Sequence, residues 1–201
     1  MKKTLSLAFT TLALTFGFSV HAEDESNWYL GAQYSAQEVT SLPDRKFKTV
    51  GVVGGYQYNK YFALETRYNT GISGYSSQFY VNGSSDAEYK EDIDKQASLF
   101  IRASYPLFNL FGIYALAGVT KSKYEITTRS SHTDLEGNTT TTYPYIIKLS
   151  ESGFTYGVGL NYQITETVTL FIDYQILPGL TIGSGSSAKW KSMNLGVNYS
   201  F

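Results

Sequence analysis

From residue 28 to residue 201 apolar side chains recur at every second position, in segments bounded by polar turns. That is the period of a strand with one apolar face. Trp28, Leu30, Ala32, Tyr34 and Ala36 share one row, opposed by Gly31, Gln33, Ser35 and Gln37. Further segments of this kind surround Val50 to Tyr58, Phe62 to Tyr68, Ala97 to Tyr105, Phe154 to Ile164, Val168 to Ile176 and Met193 to Phe201. An eighth, Phe111 to Lys121, is apolar on both rows, which leaves its facing open.

The connections alternate in length. Short links fall around 59–60, 106–110 and 165–166; the others are long, above all 71–92 and 122–152. An even strand number with short turns at one end and long loops at the other predicts an all-β fold, an eight-stranded antiparallel up-and-down transmembrane β-barrel. Both chain ends are then expected on the short-turn, periplasmic side. A soluble barrel also alternates, but turns its polar row to water. Here the polar row is mostly Gly, Ser, Thr, Asn and Gln, which suits a crowded interior, since eight strands leave room only for side chains. The apolar row is expected to face lipid. Aromatic girdles follow at both interfaces: Trp28, Tyr56, Tyr105, Phe111, Tyr199 and Phe201 at the lower edge, and Tyr68, Phe154, Tyr174 and Trp190 at the upper.

Composition sharpens the setting. The 201 residues are 42% hydrophobic and 16% charged, contain no cysteine and carry a net charge of -1. With no basic run, nucleic acid is not expected as a partner, and without cysteine there is neither a disulfide framework nor a lipidated anchor. Lys2 and Lys3, the apolar Leu5–Val20 and the small-residue site ending at Ala22 read as a signal peptide over 1–22. Residues 23–201 then form the barrel with its long loops. One histidine, His132, lies outside the signal, in the longest loop. A serine nucleophile needs a base oriented by a third group, and a metal needs several ligands, so neither an enzyme, a cofactor nor a metal site is expected.

The stretches Tyr61-Phe62-Ala63-Leu64-Glu65 and Arg102-Ala103-Ser104-Tyr105-Pro106-Leu107, the eight alternating segments and the terminal aromatic resemble the small barrels related to the membrane domain of outer membrane protein A, the OmpA-like porin-type barrels of the Gram-negative outer membrane. The resemblance implies that Tyr199 and Phe201 are read by the barrel-assembly machinery. The peptidoglycan-binding domain of some relatives is not expected here.

Four charges fall on inward rows, Glu65, Arg67, Arg102 and Asp173. They are expected to pair across the lumen; the alternative is a gate in a narrow channel for small solutes or ions. Most other cations, Arg45 among them, fall at the outer rim or in its loops, and Lys48, Lys95, Lys121 and Lys191 near strand ends are candidates for contact with lipopolysaccharide phosphates. Within the long loops, Gln78–Val81 before Asn82-Gly83, and Tyr124–Thr128 with Thr139–Leu149 across an Asp134–Asn138 turn, predict two hairpins. A monomeric barrel acting through loops 71–92 and 122–152, in surface interaction, adhesion or membrane integrity with a host or surface protein as partner, is the expected function.

Overall fold

The computed structural model describes residues 27–40, 44–82, 85–133, 138–141, 144–182 and 186–201. The signal peptide, the Gly83 turn and most of the Asp134–Asn138 turn lie outside the described residues. Ten strands follow in chain order: β1 (Trp28–Thr40), β2 (Arg45–Gln57), β3 (Phe62–Ser73), β4 (Tyr75–Asn82), β5 (Ser85–Pro106), β6 (Phe111–Thr133), β7 (Thr139–Thr141), β8 (Tyr145–Gln163), β9 (Val168–Ile182) and β10 (Ser186–Ser200). Eight of them, all but β4 and β7, close one antiparallel barrel: β1 pairs with both β2 and β10, and β5 pairs with both β3 and β6. Closure removes the free edges that no lipid could satisfy. Among the described residues no helix is long and apolar enough to cross a membrane.

Exposure settles the facing. Leu30 is 51% exposed, Val52 55% and Phe154 63%, while Gln33, Asn69, Gln96, Thr155 and Asn194 are buried. The apolar row is outside and the polar row inside, the inverse of a soluble barrel. Strand β6 follows the rule its sequence left open: Phe111, Ile113 and Val119 are exposed, whereas Tyr114, Leu116 and Thr120 are buried. Trp190 does not belong to the outer girdle. It shares the parity of Ser192 and Asn194, is 1% exposed, and donates its indole N–H to Gln37 Oε1 at 2.9 Å.

Glycines make room for the large interior side chains. Gly31 lies opposite Asn198, and a Cβ there would stand 2.0 Å from Asn198 Oδ1 and 2.4 Å from the Val197 carbonyl. Gly51 has the same relation to Asn69. A narrow barrel thus packs polar side chains over bare backbone, at the density of any protein interior.

Above the membrane band the strands continue. Register shifts fall at Lys48/Thr49, Ile93/Lys95 and Ala188/Trp190. Bulges of this kind bend a strand and re-aim its side chains. On β5 the shift exchanges the rows: even residues Gln96, Phe100 and Arg102 face inward below it, and odd residues Glu91 and Ile93 above it. Beyond this level β4 pairs with β5, β5 with β6, and β6 with β7 and β8, raising a sheet off the rim.

Candidate functional site

The lumen is filled in layers. Nearest the periplasmic end Tyr29, Val53, Ala63, Phe100, Tyr114, Leu116 and Phe171 form an apolar cluster. Into it three strands deliver the charges, β3 with Glu65 and Arg67, β5 with Arg102 and β9 with Asp173. Glu65 Oε1 accepts from Arg67 at 2.7 Å, and its Oε2 accepts from the Tyr29 hydroxyl at 2.6 Å and from Arg102 Nη1 at 3.2 Å. Arg67 Nη2 stands 2.7 Å from Glu65 Oε1 and 2.8 Å from Asp173 Oδ2, held between the two carboxylates. Asp173 also accepts from Tyr114, Gln175 and Asn194 at 2.9, 2.8 and 2.6 Å. Phe100 and Phe171 cover the Arg67 guanidinium, their ring centres 5.7 and 5.1 Å from Cζ, and Arg102 lies 3.8 Å over Tyr114. Two acids balance two bases, so the stack is neutral as well as paired, the condition under which buried charge is tolerable.

Above the ions comes an uncharged layer. Gln33 donates to Asn69 at 2.7 Å, Gln37 to Gln96 at 3.0 Å and Gln96 to Ser122 at 2.9 Å. The outer mouth is closed by a second apolar cluster, including Val39, Phe47, Ile93, Tyr124, Leu177, Leu180 and Trp190. Its one buried acid, Glu91, pairs with Arg45 at 2.9 Å and accepts from the hydroxyls of Tyr89 and Tyr124. Arg45 is therefore no loop cation: its side chain is 14% exposed and ties the start of β2 to β5. Burial, with the Glu91 bond second, pushes the Tyr89 hydroxyl up to about 12 and raises that of Tyr124 as well.

Tyr29 was legible as an interior residue, because it shares a row with Gly31, Gln33 and Ser35. Tyr114 was not, since both rows of β6 are apolar, and Trp190, expected in the upper girdle, instead follows the inward row of Ser192 and Asn194. Glu91 was not legible either, because the bulge between it and Arg102 breaks the count.

The four rim lysines stand in two groups. Lys95 and Lys121 are exposed on neighbouring strands, with Lys95 directly opposite Lys123. Lys48 is exposed on β2 and Lys191 half-buried on β10; β1 runs between them, where Glu38 faces Lys191 on one side and Lys46 on the other. At the other end of the molecule Tyr199 and Phe201 meet edge to face at 5.3 Å, both exposed on the lower girdle.

The raised sheet has two edges. Among the described residues β4 pairs on one side only, with β5. The pairing of β8 with β9 begins at Tyr156, opposite Ile176, although β8 starts at Tyr145. On these edges Phe79, Tyr145 and Ile146 are exposed by 56%, 70% and 47%.

A closed eight-stranded barrel, apolar outside and packed with paired charges inside, defines a small integral protein of an outer membrane. The chain belongs to the family of the outer membrane protein beta-barrel domain, whose model matches residues 9–201. It is 31% identical over 107 residues to the virulence membrane protein PagC of Salmonella typhimurium, covering 53% of this chain. The match spans about half the length of that relative, 51%. The fold is shared with neisserial surface protein A, at a TM-score of 0.54 and 17% identity. It is shared also with Ail, the attachment invasion locus protein of Yersinia pestis, at 0.53 and 13%. Each alignment covers 89% of this chain and 100% of the other.

Proposed function

We propose that this protein acts at the cell surface through its raised sheet, docking an extended segment of a host or surface protein by strand addition. The observation that carries the reading is the pair of edges on β4 and β8 that have no strand partner among the described residues, each flanked by exposed apolar side chains. A free edge supplies main-chain hydrogen bonds, and alternate side-chain sites supply selectivity. Soluble proteins blunt such edges with charge, because they otherwise recruit strands. The names of PagC, a virulence protein, and Ail, an attachment protein, agree with this reading.

The barrel is then the stand for the sheet, a monomer exported by cleavage after residue 22 and assembled through Tyr199 and Phe201. Its lumen charges serve as a structural plug. For a narrow channel, the lower ions, the glutamine layer and the apolar mouth would all have to part. The rim lysines Lys48, Lys95, Lys121 and Lys191 bind lipopolysaccharide phosphates. Support comes from the like-charged Lys95–Lys123 pair, which repels unless an anion lies between or beside it.

Placing lysines on both edges, with Phe79→Lys and Ile146→Lys, tests the main reading. Cells bearing this variant should bind cultured epithelial monolayers several-fold less than cells bearing the wild type, with the barrel still folded by its heat-shifted gel mobility. Equal binding would overturn it. The lysine reading fails if replacing all four by Gln leaves lipopolysaccharide co-purification unchanged.

A further inference from the structure

On the lipid-facing surface the outward row is uneven. A groove of about 550 Å³ crosses β5, β6, β8, β9 and β10. Small residues make its floor, where Ala103 lies opposite Ala115. Tyr105, Ile113 and Leu160 form its lower wall, with Val158, Tyr174 and Met193 above. The groove climbs strand by strand, from Tyr105, next to the Pro106 turn, to Met193 at the middle of β10.

We infer that this groove holds one acyl chain of a periplasmic-leaflet glycerophospholipid, whose phosphate rests near Lys60. The inference is independent of the raised sheet. Three observations support it. First, the groove lies in the exposed apolar band, where the surrounding medium is acyl chains. An apolar recess left unfilled forfeits contacts on one side, and of the components of a bilayer a flexible chain is the one thin enough to enter it. Second, the dimensions fit. Five strands at about 4.8 Å spacing give a length of roughly 19 Å. Run obliquely, that matches a leaflet about 15 Å deep, half of the hydrocarbon core. Third, Tyr105 at the foot of the groove also lines a polar recess of about 170 Å³ at the barrel's periplasmic end, and Lys60 is on its wall. Lys60 stands 4.9 Å over the Tyr61 ring, a cation at the depth where a headgroup phosphate would lie. The direction of the groove follows: phosphate below, chain tip near Met193.

The test uses the full mature barrel folded in phosphatidylcholine vesicles with a trace of phosphatidylglycerol carrying a diazirine midway along one chain. After irradiation, label should concentrate on Ala115, Val158 and Leu160. Filling the floor with Ala103→Phe and Ala115→Phe should cut that labelling about tenfold, since the contacts are then made by the rings. Ala117→Phe, also outward but outside the groove, should leave it unchanged, and Lys60→Gln should lower it a few-fold. Label spread evenly around all outward rows would overturn the inference, as would equal labelling by a diazirine-bearing lipid A, or protein dimers cross-linked at this face. If the double variant fails to fold, the labelling map of the wild type decides alone.

Discussion

Glu65 is the residue on which the lower lumen turns, and Glu65→Gln is the sharpest perturbation of it. The substitution keeps the shape and still accepts from Tyr29, but it removes one of two negative charges facing Arg67 and Arg102. Arg67 retains Asp173 at 2.8 Å. With the amide oxygen in the Oε2 place, Arg102 exchanges its ion pair, at 3.2 Å, for a neutral acceptor and keeps Ser104 Oγ at 3.3 Å and the Tyr114 ring. The new amide NH2 faces the Arg67 Nε–H, which loses its acceptor. Glu65 is 0% and Arg102 7% exposed, so the only water within reach of the altered pair is that of the periplasmic recess Arg102 lines. Breaking a pair buried to this degree costs about 3–5 kcal/mol, a large part of the roughly 5–15 kcal/mol by which folded domains are held. Urea unfolding in vesicles reads it directly. The two tryptophans report together, Trp28 leaving lipid and Trp190 leaving the outer cluster. The double variant Glu65→Gln with Arg102→Gln removes both charges and restores neutrality. It should be more stable than the sum of the single effects predicts, by about 1–3 kcal/mol. A single variant within about 0.5 kcal/mol of wild type, or strict additivity, would refute the account of a neutral, mutually dependent stack.

Three further outcomes follow from the geometry. Gly31→Ala places a methyl against Asn198 and the Val197 carbonyl, and should destabilise the barrel by about 1–3 kcal/mol in the same urea assay; pairing it with Asn198→Ala should recover only the side-chain share. The Tyr89 hydroxyl is raised from 10.0 to about 12, so the unfolded sheet releases this proton first as pH rises. The stabilisation is whole below pH 10 and is lost towards pH 12. Tyrosinate absorbance should show a late-titrating fraction that shrinks in Tyr89→Phe, and amide exchange in β5 should quicken over the same interval. In planar bilayers the refolded protein should be electrically silent, because ions, glutamines and an apolar mouth lie in series; reproducible conductance steps altered by Arg102→Ala would revive the channel.

Much of this molecule was legible in one dimension. A strand has a period of two, and lipid outside with a crowded polar lumen inside sorts the two rows without ambiguity wherever one row is polar. Hence eight strands, their short and long connections, and the inward placing of Glu65, Arg67, Arg102 and Asp173 could be read before any coordinates. Strand β6 could not be oriented, because both its rows are apolar and only its pairing with β5 and β8 decides between them. The partnerships among the charges likewise depend on register across strands, which brings Arg67 of β3 to Asp173 of β9 from opposite sides of the lumen. Parity itself fails at a bulge: one extra residue near Asp94 turns Glu91 inward, where Arg45 and two tyrosines meet it. Local pattern therefore determined which face each regular strand shows to lipid. Only closure of the barrel decided which interior groups meet, because those contacts are made between residues far apart in the chain.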